Sequence, residues 1–151
     1  MTVRRMDHAG LVVDDLAAAV AFFVELGLEL EGEARVGGQW ADELLGLDGV
    51  KADIAMVRTP DGHTRIELST FHSPLFTGTT TPSPVNVPGI PRLTFVVDDV
   101  NDTLARLRPH GAELVGIVTH YEDIYRYCYI YGPNGVTIGL VQELRTSPDA
   151  G

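Results

Sequence analysis

The chain has 151 residues, a length that suits one domain of ordinary size. Its 11 basic and 21 acidic side chains give a formal net charge of -10, which disfavours nucleic acids and membranes as partners. The single cysteine, Cys128, excludes an intrachain disulfide and a zinc site built from cysteines. The longest apolar run, 16–24, is much shorter than the roughly 18 residues of a membrane span. We therefore expect a cytoplasmic protein.

The first half of the chain predicts a strand, a helix and three further strands. Asp14 or Asp15 can cap the helix, and Gly27 is placed to end it. The stretch 37–49 is ambiguous, because Trp40 and two leucines have the spacing of a helical turn between glycines. The predicted strands cover 4–13, 28–36, 50–58 and 63–71, and the last two flank a hairpin turn at 60–62.

The second half predicts the same order after a connector rich in proline, serine and threonine. Its helix carries Val100, Leu104 and Leu107 on one face, and a hairpin turn is predicted at 132–135. The predicted strands are 90–97, 113–119, 124–131 and 136–142. We expect one structural domain with four parts: a first module at 1–72, the connector at 73–89, a second module at 90–144 and a tail at 145–151.

The two halves share a phrase at a fixed distance. Residues 8–15 read His-Ala-Gly-Leu-Val-Val-Asp-Asp, and residues 92–99 read Arg-Leu-Thr-Phe-Val-Val-Asp-Asp, an offset of 92 − 8 = 84. Similarity at a fixed offset indicates a duplicated structural unit. The first position differs in chemistry, because His8 corresponds to Arg92.

This pair of strand-helix-strand-strand-strand units resembles the vicinal oxygen chelate superfamily, which includes glyoxalase I, methylmalonyl-CoA epimerase, extradiol dioxygenases and the bleomycin resistance proteins. The resemblance covers roughly residues 4–143 and rests on the duplicated phrase, Arg65-Ile-Glu-Leu-Ser69, Gly132-Pro-Asn-Gly135 and Ile138-Gly-Leu140. It implies an α+β fold in which two βαβββ modules form an eight-stranded, open, cup-like mixed sheet with helices on the outside. Members are often homodimers, so the resemblance also implies a homodimer.

The resemblance places metal ligands at four positions of this chain: His8, Glu67, Arg92 and Gly139. Strand alternation supports Glu67, because the apolar Ile66 on the same strand faces the other way. His8 and Glu67 are competent ligands for zinc, nickel, manganese or iron, whereas arginine and glycine are not. Gly139 is expected to leave a space where a carboxylate is common, and a metal-free site is the alternative.

Arg92 has two interpretations beside that of a solvated surface arginine. It can replace a divalent ion electrostatically by pairing with Glu67, or it can bind an anionic substrate as a carboxylate clamp. If a metal is present, a rescue ligand could come from Glu122, His120 or His63, although exposure on the surface is the simpler interpretation.

Tyrosines alternate along the strand predicted at 124–131, with Arg126 and Cys128 between them. One face of this strand lines the cup and the other meets a helix or a partner subunit, and the sequence leaves the choice open. Tyr127, Tyr129 and Arg126 are therefore candidate substrate-binding residues together with Arg92.

Two functions follow from these expectations. The first is a lyase, isomerase or epimerase of the glyoxalase I type that acts on a small molecule by metal-assisted enolisation, with Glu67 and Arg92 as catalytic residues and His8 and Glu67 as metal ligands. The alternative is a metal-independent protein that binds or sequesters a small molecule, as the bleomycin resistance proteins do. An extradiol dioxygenase is disfavoured because only one of its two histidine positions is present. The substrate, which Arg92 suggests is anionic, remains open.

Overall fold

The structure is a computed structural model that describes residues 2–75, 78 and 82–144. The chain forms two compact units, Met1–Thr79 and Thr80–Gly151. The predicted tail at 145–151 lies outside the described residues, as do 76, 77 and 79–81 of the predicted connector. Among the described residues, no helix is long and apolar enough to cross a membrane.

The first unit is a four-stranded mixed sheet with helices. Its elements in chain order are β1 (Ala9–Val12), α1 (Leu16–Leu26), β2 (Glu29–Gly37), α2 (Gln39–Leu45), β3 (Lys51–Arg58) and β4 (Arg65–Ser73). The strand order is β1-β4-β3-β2, with β1 parallel to β4 and the other pairs antiparallel. The strand predicted at 4–13 is shorter than expected, because pairing with β4 starts only at Ala9.

Helix α1 begins and ends where the sequence predicts. The Asp15 side chain accepts a hydrogen bond from the backbone N–H of Ala18 at 3.0 Å, which satisfies one of the free donors at the helix start. Gly27 ends the helix with a φ of 126°, and its N–H donates to the carbonyls of Phe23 and Val24. The buried face of α1 packs on β3 and β4, so the opposite face of the sheet is free to carry polar groups.

The ambiguous stretch at 37–49 contains α2, which is short and turns its large side chains outward. Trp40 is 70% exposed and Leu44 is 65% exposed, whereas Ala41 is buried against Val50 and Ala52. The spacing of the large apolar residues predicted the helical turn, but the small alanine is the residue that packs.

The second unit repeats this plan. Its elements are β5 (Arg92–Val96), α3 (Val100–Leu107), β6 (Glu113–Leu114), β7 (Thr119–Tyr121), β8 (Tyr125–Tyr131) and β9 (Thr137–Glu143). The order is β5-β9-β8-β6, with β5 parallel to β9, and β7 also pairs with β8. The α+β class is therefore confirmed, with two mixed sheets of four and five strands among the described residues.

The strand predicted at 113–119 is replaced by the two short strands β6 and β7. Leu114 pairs with Ile130 and Thr119 pairs with Tyr127, so the four residues 115–118 lie opposite only two residues of β8. The extra residues cannot stay in the ladder, and they bulge out of it.

Candidate functional site

In the first unit, Glu67 lies on the face of the sheet that α1 does not cover. Its neighbours Ile66 and Leu68 are buried, and α1 packs against β4 on their side. Side chains alternate along a strand, so Glu67 points to the other face. In the parallel pairing of β1 with β4, Glu67 lies beside Gly10, which has no side chain to cover it.

His8 lies next to Glu67, just before β1 begins. Its Nε2 atom is 3.6 Å from Oε2 of Glu67, and its Nδ1 atom is 2.8 Å from Oδ2 of Asp7. The side chains of His8 and Glu67 are 35% and 33% exposed, so both are accessible to a small molecule. The two ring nitrogens of one imidazole therefore face two different carboxylates.

Asp7 is held by two arginines as well as by His8. Its carboxylate is 3.2 Å from Nη1 of Arg5 and 3.6 Å from Nη2 of Arg65, and Arg65 also contacts Glu31 at 3.4 Å. The hydrogen bond with His8 lowers the pKa of Asp7 most, and the charges of Arg65 and Arg5 lower it further. The sequence interpretation missed Asp7 and Arg65. Their signals were an acidic residue directly before His8, and an arginine two positions before Glu67 on the same strand face.

The His8 and Glu67 pair fits part of a metal site. A separation of 3.6 Å between Nε2 and Oε2 allows both atoms to bind one ion at the donor distances of about 2.0–2.2 Å typical of zinc. A metal centre usually has three or more protein ligands. Within the described ranges, no three His, Cys, Asp or Glu side chains come together in a group that could hold an ion. The pair thus supplies two ligand atoms for a metal ion.

The predicted rescue ligands occupy turns and short strands. His63 lies in the turn between β3 and β4, where its backbone N–H donates to Asp61. Glu122 lies in the turn between β7 and β8 with a φ of 48°, and the imidazole of His120 accepts a hydrogen bond from Arg126 at 3.1 Å. His63 and His120 make these contacts within their own units, and a rescue ligand remains a prediction.

In the second unit, the burial pattern of β8 shows which of its two faces the tyrosines occupy. Cys128 is 2% exposed and Ile130 is fully buried, and α3 packs against this strand. Tyr127 and Tyr129 are half-buried on the opposite face. The tyrosines therefore line the face of the second sheet that α3 leaves free.

Arg126 lies on the other side of β8 from Tyr127 and Tyr129. Its guanidinium donates to His120 at 3.1 Å and to Gln142 at 3.5 Å, and Gln142 in turn accepts the N–H of Val100 at the start of α3. Arg126 and the two tyrosines, joint candidates for substrate binding, thus belong to opposite faces of one sheet.

Arg92 begins β5 on the same face as the tyrosines. Its guanidinium carbon is 5.3 Å from the centre of the Tyr129 ring, within the range of a cation–π interaction. The rings of Tyr129 and Tyr127 are 5.2 Å apart, and their hydroxyl oxygens are 3.1 Å apart. The hydrogen bond to Tyr127 is the main cause that raises the pKa of Tyr129, while Arg92 and Thr94 act in the opposite direction.

Gly139 does not leave the space that the sequence suggested. A Cβ atom built on Gly139 would lie 2.5 Å from Oγ1 of Thr94 and 3.0 Å from Cε1 of Tyr129. Thr94 and Tyr129 are its direct neighbours on β5 and β8. The expectation of an empty position is wrong, because the two neighbouring side chains already fill it. We call the surface formed by Arg92, Thr94, Tyr127, Tyr129 and Gly139 the tyrosine face.

The fold and these motifs correspond to a known family. The model of the Glyoxalase/Bleomycin resistance protein/Dioxygenase superfamily matches residues 5–140. The chain belongs to this superfamily. The resemblance seen in the duplicated phrase is thereby confirmed.

Relatives within the superfamily cover nearly the whole chain. A crystal structure of a glyoxalase family protein from Bacillus cereus is 48% identical, covers 96% of this chain and 97% of its own, and superposes with a TM-score of 0.91. The uncharacterized protein YwbC of Bacillus subtilis is 30% identical over 143 residues, which are 93% of this chain and 98% of YwbC. The structure of TnmS3, an antibiotic binding protein from Streptomyces sp. CB03234, is 25% identical, covers 95% of this chain and 98% of its own, and has a TM-score of 0.58.

Proposed function

We propose that this member of the superfamily binds a small anionic molecule with an aromatic or conjugated ring, and that Arg92 on the tyrosine face recognises the anion without a metal. The observation that supports this proposal most is the position of the Arg92 guanidinium, 5.3 Å from the centre of the Tyr129 ring. A guanidinium is permanently charged and binds carboxylates through two parallel hydrogen bonds.

The surroundings of Arg92 favour an external anion. Arg92 is exposed, and its guanidinium lies over the neutral ring of Tyr129. Stacking on Tyr129 orients the guanidinium and leaves its N–H groups to donate elsewhere. In a chain with a net charge of -10, an arginine of this kind provides a local attraction for an anion that the rest of the surface repels.

The tyrosines supply the second part of the recognition. The hydroxyl oxygens of Tyr129 and Tyr127 are 3.1 Å apart, and either hydroxyl can be the donor in this hydrogen bond. Because this bond uses one hydroxyl proton of the pair, the proton of the other hydroxyl can be donated to a ligand oxygen. The tilted ring pair offers aromatic surface on which a ligand ring can pack.

TnmS3 provides support of a different kind. It is an antibiotic binding protein with the same fold, and it shares 25% of its residues with this chain. Binding of an organic molecule is thus a function that this scaffold performs in a relative, and we propose the same class of function here.

A binding experiment tests the proposal. Aromatic carboxylates and their uncharged amides are titrated into the full chain in the presence of a chelator, and binding is followed by calorimetry. We expect acids to bind and amides to bind far more weakly. Arg92→Gln should weaken binding of the acids by about ten- to a hundredfold, since a charge-assisted contact of about 1.5–3 kcal/mol is lost.

Arg126→Gln is the matched control, because Arg126 lies on the opposite face of the same sheet. We expect it to change affinity by less than about twofold, as for a residue outside the contact. Equal affinity for acids and amides, or equal losses in the two arginine variants, contradicts the proposal.

A second candidate function rests on the 3.6 Å approach of His8 to Glu67 in the first unit. It is the glyoxalase-type reaction, in which a carbon acid of the substrate is enolised. A divalent ion held by His8 Nε2 and Glu67 Oε2 would act there as a Lewis acid toward substrate oxygens. Asp7 contacts Nδ1 of His8 at 2.8 Å, and the Glu67 carboxylate, whose side chain is 33% exposed, is accessible for accepting a substrate proton.

Metal analysis separates this candidate from metal-independent binding. The chain is purified without chelator and titrated with nickel, zinc, manganese and ferrous ions. Stoichiometric binding that is lost in both His8→Ala and Glu67→Gln supports the second candidate. The absence of tight metal binding in the wild type, or the persistence of tight binding in His8→Ala, contradicts the second candidate. The tyrosine-face proposal is tested separately by the binding experiment with acids and amides.

A further inference from the structure

The imidazole of His8 lies between two carboxylates that approach different nitrogens. Nδ1 is 2.8 Å from Asp7, which is the length of a good hydrogen bond. Nε2 is 3.6 Å from Glu67, which is too long for one. Residues 2–8 precede β1, so strand alternation does not force Asp7 and His8 to opposite faces.

The short contact decides where the imidazole proton lies. An ionised carboxylate has acceptor sites but no proton to donate, and an ordinary aspartate is ionised at neutral pH. Nδ1 must therefore be the donor to Asp7. In a neutral imidazole only one nitrogen carries hydrogen, so Nε2 has a lone pair directed at the side of Glu67.

We propose that Asp7 is a positioning residue that holds His8 in the Nδ1–H tautomer, so that Nε2 of His8 and Oε2 of Glu67 form a pair of acceptors facing one point. Such a pair receives a positively polarised atom, whether a ligand O–H or N–H proton or a metal ion. Arg65 contributes by contacting Asp7 at 3.6 Å and Glu31 at 3.4 Å, which ties the loop before β1 to the sheet. This inference does not depend on the proposed function.

A second histidine of the first unit contacts an aspartate through the other ring nitrogen. His72 also has an aspartate partner, but its Nε2 atom is the one that lies 2.8 Å from Oδ2 of Asp53. The same reasoning therefore assigns the Nε2–H tautomer to His72. The two histidines of one chain should thus show opposite tautomers under identical conditions.

Long-range proton–nitrogen correlation spectra of the ¹⁵N-labelled full chain measure both tautomers directly. The protein is treated with chelator and studied near a pH of about 8, above the pKa of an ordinary imidazole. His8→Gln and His72→Gln identify the two sets of signals. We expect the Nδ1–H pattern for His8 and the Nε2–H pattern for His72.

Three variants test whether the two aspartates cause these tautomers. In Asp7→Ala the tautomer ratio of His8 should move toward Nε2–H on the order of tenfold, because the charged hydrogen-bond acceptor is lost, while His72 stays unchanged. Asp7→Asn retains an acceptor oxygen and should recover part of the wild-type ratio. In Asp53→Ala only His72 should respond.

Three results overturn the proposal: a wild-type His8 in the Nε2–H form, a wild-type His8 that carries hydrogen on both nitrogens at this pH, or a His8 ratio that does not change in Asp7→Ala. Asp7 is exposed and lies outside the sheet, so its replacement should leave the fold intact. Unchanged amide spectra of the variants check this expectation. A merely structural role for Asp7 would leave the tautomer ratio of His8 where it is.

Discussion

The two units share a strand order and a helix cap, and they differ in the chemistry of the sheet face that the helix leaves uncovered. In the first unit this face carries the His8 imidazole beside the Glu67 carboxylate, with Nε2 3.6 Å from Oε2. In the second unit it carries donors and rings, Arg92 beside Tyr129 and Tyr127. A repeated scaffold can thus present opposite chemistry on equivalent surfaces.

The scaffold tolerates this difference because the two faces of a strand are independent. Cys128 and Ile130 of β8 are buried on the α3 side, whereas Tyr129 between them lies on the free face. Exchanging residues on the free face does not alter the side chains that pack against the helix. It changes what the sheet can bind.

The largest expected effect is a loss of stability when Gly139 is replaced by alanine, and Gly10 of the first unit is the control. Gly139→Ala should lower the free energy of unfolding by about 1–3 kcal/mol, because the new methyl group meets Thr94 and Tyr129 at overpacked distances. Gly10 lies in β1, and a Cβ atom added there would meet nothing within 4 Å, so Gly10→Ala should change the same quantity by less than about 0.5 kcal/mol.

Urea denaturation of the two variants measures this contrast. Gly139→Ala combined with Thr94→Gly should recover part of the loss, since the closest contact is removed. Equal stability of the two single variants would show that the tyrosine face is not packed as described.

The N-terminal caps of α1 and α3 are a feature that the two units share. Asp15 accepts from Ala18 at 3.0 Å and Asp99 accepts from Asp102 at 2.9 Å, so the caps are alike. Asp15→Ala and Asp99→Ala should each cost about 1 kcal/mol of stability, with the asparagine variants close to wild type. Urea denaturation measures these stabilities. A loss of stability at only one of the two positions would show that the two caps are not equivalent.

The smallest effect concerns the Tyr127 and Tyr129 hydroxyls. Their hydrogen bond raises the pKa of Tyr129 above its ordinary value of 10.0, so the neutral phenol is favoured in the folded chain. This contribution to stability is fully present below a pH of about 10 and is lost as the pH rises through the folded pKa.

Tyr127→Phe removes the main cause and should lower the pKa of Tyr129 toward its ordinary value. NMR titration of ¹³C-labelled tyrosine measures the change. Tyr131→Phe is the control, because the Tyr131 hydroxyl contacts the carbonyl of Ser83 rather than Tyr129. An unchanged or increased pKa of Tyr129 in Tyr127→Phe would contradict the hydrogen-bond assignment.

The sequence predicted the parts of the fold that depend on local chemistry. Asp15 and Gly27 bound α1 because a carboxylate can cap free N–H groups and glycine accepts a positive φ. Alternation along β4 indicated the side of Glu67 from the apolar Ile66 and Leu68, which the structure shows to be buried. The split of the strand predicted at 113–119 could not be predicted, because it depends on how many residues of β8 lie opposite.

The sequence by itself determined the duplicated α+β scaffold and the ends of α1, since these follow from periodicity, capping and a repeated phrase, and its motifs indicated the family by resemblance. Only the tertiary structure decided which face of β8 the tyrosines occupy, that Gly139 is closely covered by Thr94 and Tyr129, and that Arg65 contacts Asp7. These features depend on contacts between neighbouring strands and loops. No single segment of sequence contains both partners of such a contact, and so their chemistry appears only when the chain has folded.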